Sequence, residues 1–169
     1  IFLSIGLLYC AEVKQKVLIV VGPTASGKSA LGVELARQFN GEVISADSRQ
    51  VYKGLNIGTG KITKKEMRGV THHMLDVVSP KRQYTASQYV QSTRKICSSL
   101  LQKTRIPIIV GGTGFYIDSL VGRISLPDVA PNKAMRLRLA KKSLSQLFTM
   151  LKKLDPARAK TLSSPSERN

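Results

Sequence analysis

Eight consecutive residues, Gly22-Pro23-Thr24-Ala25-Ser26-Gly27-Lys28-Ser29, fit the pattern G-x-x-x-x-G-K-[ST] at every fixed position. Such a loop constrains its surroundings, because it must join a strand to a helix. Lys16-Val17-Leu18-Ile19-Val20-Val21 is expected as a short apolar strand entering it, and residues 29–39 as a helix leaving it with Leu31, Leu35 and Phe39 on one face. The glycines let successive backbone N–H groups turn inward toward an anion. The helix N-terminus adds partial positive charge. Lys28 supplies a full charge to the outer phosphates, and Ser29 offers a hydroxyl to a bound Mg²⁺. The competing reading, a Gly/Ser-rich turn without a ligand, leaves the flanking strand and helix unexplained.

The next strand is expected at Glu42-Val43-Ile44-Ser45-Ala46, after Asn40-Gly41 closes the helix. Strand, loop, helix and strand imply a right-handed crossover and a parallel sheet. Ligands in such sheets sit beyond the carboxyl ends of the strands. Asp47-Ser48-Arg49-Gln50 therefore falls near the phosphate loop, and Asp47 becomes a functional candidate rather than a simple turn residue. A third buried strand, Ile106-Pro107-Ile108-Ile109-Val110, runs into Gly111-Gly112-Thr113-Gly114. An ordinary phosphate-loop ATPase would carry a Mg²⁺-binding Asp after that apolar run. The glycines and Thr113 there argue against one.

Residues 54–69 read as loop. His72 and His73 are adjacent on a short strand, so their side chains alternate and cannot both face one metal; pairing with backbone or a loop is the expected role. Thr85-Ala86-Ser87-Gln88 forms a capping box, followed by a helix with Tyr89, Thr93, Ile96, Cys97, Leu100 and Leu101 on its apolar face. Residues 126–131 read as a linker. Beyond it come a basic run with Lys133, Arg136, Arg138, Lys141 and Lys142, a second capping box at Ser143-Leu144-Ser145-Gln146, and an amphipathic helix marked by Leu144, Leu147, Phe148, Leu151 and Leu154. Asp155-Pro156 opens a further helix.

The balance of 27 Lys and Arg against 10 Asp and Glu gives a formal net charge of +17, which favours a polyanionic partner, nucleic acid first. Aromatic residues make up only 5%, so a base-stacking sheet surface is not evident. The 2 cysteines, Cys10 and Cys97, have neither ligand spacing nor a CxxC partner, and a reducing compartment follows as the default. The apolar run over residues 1–9 is too short to span a bilayer. It also lacks a basic n-region, so it makes a poor secretory signal.

Four stretches together resemble one family, the tRNA dimethylallyltransferases, also called tRNA isopentenyltransferases. They are GPTASGKS at residues 22–29, ISADSRQVYKGLNIGTGK at residues 44–61, THHMLDVVSP at residues 71–80 and PIIVGGTGFYIDSL at residues 107–120. The tail LKKLDPARAKTL is similar to the family as well, and the likeness runs from about Lys16 onward. It implies an α/β fold: a P-loop NTPase-like parallel sheet flanked by helices, with the start of a helical tRNA-binding insertion. Three segments follow: a leader over residues 1–15, an α/β core over residues 16–125 and a basic helical segment over residues 126–169. The implied reaction transfers a dimethylallyl group from dimethylallyl diphosphate to the exocyclic amine of the adenine beside the tRNA anticodon. The loop that elsewhere binds ATP or another nucleotide would hold the prenyl diphosphate through Gly22, Pro23, Thr24, Ala25, Ser26, Gly27, Lys28 and Ser29, with Mg²⁺ on Ser29. The resemblance makes Asp47 the base, lets Thr113 donate toward the bridging oxygen, and puts Arg136 at a basic catalytic position. Asp47, Ser48, Arg49 and Gln50 would touch a flipped-out adenine. A cytoplasmic monomer is expected. The family is ordinarily longer, so the expectation is a fragment whose activity alone is in question. Two rivals are a phosphate-loop kinase acting on a nucleotide or small molecule, and an inactive RNA-binding remnant.

Overall fold

The computed structural model describes residues 4–10, 15–126, 129 and 132–162, with only the backbone described up to Lys16. Most of the expected linker, and the end of the chain past Leu162, lie outside the described residues. The chain divides into two compact units, Ile1–Leu126 and Pro127–Asn169.

In the first unit the chain order is β1 (Ser4–Cys10), β2 (Gln15–Val21), α1 (Lys28–Gln38), β3 (Gly41–Ser45), α2 (Lys64–Met67), β4 (His72–His73), α3 (Ala86–Gln102), β5 (Ile106–Gly111) and α4 (Gly114–Leu120). The strands form one sheet in the order β1-β2-β5-β3-β4. Strands β2, β5, β3 and β4 are parallel, whereas β1, from the segment read as a leader, pairs antiparallel to β2 from Ser4↔Val21 to Cys10↔Gln15.

The sheet is covered on both faces, which is why its central strands read as unbroken apolar runs. Period-2 alternation then sorts side chains between two cores. Ile19, Ile44 and Ile109 join Tyr89, Cys97, Leu100, Tyr116 and Leu120 on the α3 and α4 side. Val20, Val43, Ile108 and Val110 join Ala36 on the α1 side. Helix α1 lies close enough that a Cβ at Gly32 would come within 2.5 Å of Val110 Cγ2. Its closed face is Gly32, Val33 and Ala36. Leu31 and Leu35 are half-buried beside it, and Phe39, expected on the same face, is 45% exposed just past the helix end.

Helix α3 starts as its sequence demands. Thr85 Oγ1 accepts the Gln88 amide at 3.2 Å and Gln88 Oε1 accepts the Thr85 amide at 2.9 Å. The same device, Thr63 with Glu66, begins the short helix α2 inside residues read as loop. The expected apolar stripe of α3 buries Tyr89, Thr93, Cys97 and Leu100.

The second unit holds α5 (Lys133–Ala140), α6 (Leu144–Leu154) and α7 (Pro156–Thr161). Asn132, Ser143 and Asp155 cap their N-termini, each accepting a backbone amide from the first turn. Among the described residues no helix is long and apolar enough to cross a membrane.

Candidate active site

Strands β2, β5 and β3 end at the same edge of the sheet, because Val21 pairs with Gly111 and Ser45 with Val110. Gly22, Gly112 and Asp47 therefore leave the sheet side by side. Sequence order places the phosphate-loop strand next to β3; the fold instead inserts β5 between them. The insertion explains the two glycines ending β5. A Cβ on Gly111 would overlap the Ala46 carbonyl, and one on Gly112 would come within 3.2 Å of Gly22 O and 3.8 Å of Lys28 Cε.

The phosphate loop turns through left-handed conformations at Ala25 (φ 62°) and Gly27 (φ 82°). Gly27 is the N-cap of α1, where no side chain accepts the first-turn amides and no acidic residue sits in the first turn. Those amides are open to an anion. Lys28 Nζ donates to Pro23 O at 2.6 Å and Ser26 Oγ donates to the same oxygen at 2.8 Å, so the cation is folded over its own loop.

A cavity of about 550 Å³ opens on this loop. It is lined by residues 24–30 and by Asp47, Gln50, Thr59, Gly60, Glu66 and Arg68, with Val33, Ile62 and Val110 supplying an apolar part. Asp47 Oδ1 accepts the Arg49 amide at 2.8 Å and the Gln50 amide at 3.3 Å, which orients the carboxylate at the strand end. Thr113 Oγ1 accepts the Ser48 amide at 2.9 Å and donates to Ser48 Oγ at 3.3 Å, while Thr113 N donates to Ala46 O at 3.1 Å. The fold thus brings the phosphate loop, Asp47 and Gln50 to one cavity and ties Thr113 to the turn behind Asp47. Ser48 and Arg49 do not line that cavity. Arg136 lies exposed on α5 in the second unit.

Beneath the site Tyr116 stacks on Tyr89, with centroids 4.1 Å apart and planes at 13°. Burial, with Tyr52, Tyr84 and Asp47 opposing its ionisation, pushes the Tyr116 hydroxyl up to about 12.

Sequence reasoning missed the buried lysine between the cavity-lining residues Gly60 and Ile62. Lys61, with its side chain only 5% exposed, donates to Asp76 Oδ1 at 2.7 Å and to Tyr52 O at 2.8 Å. Asp76 Oδ1 also accepts the Gly54 amide at 3.2 Å. The signal for α2, the T-x-x-E at Thr63, was present in the sequence; nothing local marked Lys61 as buried. The expected backbone pairing holds for His72, whereas His73 meets a carboxylate on β3. His72 Nδ1 lies 2.9 Å from Val70 O and His73 Nε2 lies 2.6 Å from Glu42 Oε2. Arg105 reaches the other oxygen of Glu42 at 3.2 Å.

A family model described as IPP transferase matches residues 50–168. The tRNA dimethylallyltransferase of Caldanaerobacter subterraneus subsp. tengcongensis is 42% identical over 151 residues, covering 87% of this chain and 48% of that protein. That of Oceanobacillus iheyensis is 41% identical over 150 residues, covering 86% and 48%. Among solved structures, the tRNA isopentenylpyrophosphate transferase of Bacillus halodurans matches with a TM-score of 0.62 at 37% identity, over 88% of this chain and 50% of that one. A eukaryotic dimethylallyltransferase acting on tRNA matches with a TM-score of 0.76 at 30% identity, over 88% and 37%. The chain spans about half the length of the curated relatives it matches.

Proposed function

This chain belongs to the IPP transferase family, the tRNA dimethylallyltransferases, and we propose that it serves the transfer of a dimethylallyl group from its diphosphate to the exocyclic amine of the adenine next to the tRNA anticodon. The observation that carries the reading is the single cavity shared by a complete phosphate loop and the Asp47 carboxylate. A diphosphate held on one wall leaves its carbon end facing the other.

In this reading the loop amides and Lys28 hold the diphosphate. Charge grows on it as the carbon–oxygen bond breaks, so fixed donors there stabilise the transition state more than the ground state. The adenine N6 forms the new bond to the allylic carbon, the electron pair of the broken bond leaves with the diphosphate, and the amine proton passes to Asp47. Asp47 Oδ1 is held by two backbone amides, and Oδ2 has no hydrogen-bond partner among the described residues, which suits it to accept that proton. By resemblance Thr113 is assigned a donor role toward the bridging oxygen of the diphosphate, Arg136 a basic catalytic position, and Ser48 and Arg49 contacts to the nucleotide.

Mg²⁺ fits this donor set. It takes one or two protein oxygens and completes its shell with phosphate oxygens and water. Ser29 and Asp47 line the same cavity, and Ser29 would hold the ion, which when bound neutralises diphosphate charge. The +17 balance and the basic run on α5 favour a polyanionic substrate. The reaction so drawn uses residues of one copy of the chain and belongs in the cytoplasm.

The test is label transfer from dimethylallyl diphosphate to tRNA by the purified protein, run beside an ATP phosphoryl-transfer assay. Transfer is expected, and Lys28→Ala should reduce it by about 10²–10³, the worth of one strong oxyanion donor. ATP turnover without prenyl transfer would replace the reading with a kinase.

A further inference from the structure

The polar groups of Gln50 are occupied inside the chain. Its amide nitrogen donates to Asp47 Oδ1 at 3.3 Å and its carbonyl accepts the Asp76 amide at 3.2 Å. In the side chain, Oε1 accepts from Ser45 Oγ at 3.4 Å, while Nε2 donates to Thr59 O at 3.1 Å and Gly60 O at 3.4 Å. The two carbonyls settle which end of the amide is nitrogen, since an oxygen turned that way would face two oxygens. Reading an adenine edge takes one amide donor and one acceptor together. The side-chain nitrogen of Gln50 is already directed at the cavity wall.

Each partner belongs to a different part of the site. Ser45 ends β3, Asp47 carries the carboxylate, Thr59 and Gly60 line the cavity shared with the phosphate loop, and Asp76 anchors the buried Lys61. We infer that Gln50 is a positioning residue that holds the Asp47 turn against the Thr59–Gly60 wall, and that it does not itself read the base. The inference rests on the prenyl-transfer reading for the task of Asp47, but the geometry it describes is independent of it. A carboxylate misplaced by about 1 Å costs up to 10²-fold in rate without a matching loss of substrate affinity.

The test uses Gln50→Leu in the wild-type and Asp47→Asn backgrounds. Single-turnover transfer is measured at saturating tRNA and donor, with tRNA affinity and hydrogen exchange at the Arg49, Gly60 and Lys61 amides. Gln50→Leu should slow transfer by roughly 10- to 100-fold. It should shift tRNA affinity by less than about threefold and quicken exchange at those amides. In the Asp47→Asn background it should cost less than about threefold, because a residue acting through Asp47 has nothing left to position. Gln50→Glu, which keeps the size but turns an oxygen toward two carbonyls, should lose rate in the same way if the leucine variant does not fold. A full, additive loss in the double variant, or weakened tRNA binding with an unchanged saturated rate, would overturn the inference. If the wild-type protein transfers no prenyl group, the functional reading fails, and unchanged exchange at the three amides would then overturn the positioning role separately.

Discussion

Thr113 Oγ1 accepts the backbone amide of Ser48 at 2.9 Å, a contact between residues 65 apart in sequence. It joins the carboxyl end of β5, which lies between the phosphate-loop strand and β3, to the turn that carries Asp47. Replacing Thr113 with Val keeps the shape and removes the acceptor, leaving the part-buried Ser48 amide unpaired. Stability should fall by about 1–3 kcal/mol, measured by denaturant unfolding. Thr113→Ser should recover most of it, since the hydroxyl carries the bond. Equal losses in both variants would assign the effect to the methyl group's packing.

Asp47→Asn tests proton acceptance with little change in structure. The asparagine oxygen can still accept the Arg49 and Gln50 amides, so the turn survives. Single-turnover prenyl transfer should fall by about 10²–10⁴, with donor and tRNA affinities little changed. Loss of donor affinity that added Mg²⁺ restores would instead make Asp47 a metal ligand.

Lys61→Met removes a buried ammonium and leaves Asp76 without its cation. Asp76 is 46% exposed on its side chain, so water relieves part of the penalty. A loss of about 1–3 kcal/mol is expected, below the 3–5 typical of a fully buried pair. Exchange at the Gly54 amide, which shares the same carboxylate oxygen, should quicken. Unchanged thermal stability would show that the Lys61–Asp76 pair does not hold this segment.

His72 gives the protein a pH dependence of known sign. Burial, with a smaller contribution from the neighbouring His73, pulls its pKa below the ordinary 6.5 against the opposing bond to Val70 O. The folded state binds fewer protons at this residue than the unfolded chain. The stability linked to the neutral ring is therefore complete above about pH 6.5 and is lost as pH falls below it. Urea midpoints should decline from pH 7 to pH 5, and more steeply in the wild type than in His72→Gln. Parallel declines would assign the acid sensitivity to other groups.

Features that depend on near neighbours were legible in the residues themselves, the Thr63–Glu66 capping box of α2 excepted. The phosphate loop, its strand and its helix follow from one eight-residue pattern, because backbone curvature and helix-terminus charge are local properties. The capping boxes at Thr85 and Ser143 are equally local. Family identity was legible in residues 44–61 and 107–120 as well, since their patterns are far rarer than a phosphate loop. Long-range packing, by contrast, sets β5 between β2 and β3, makes Ser4–Cys10 an antiparallel edge of the sheet, and leaves Phe39 exposed while burying Lys61. It also occupies the polar groups of Gln50 within the chain. Strand order is set by which faces of α1, α3 and α4 can cover the sheet at once. A polar side chain is buried or free according to partners that lie far away in sequence, such as Asp76 for Lys61 and Thr59 for Gln50.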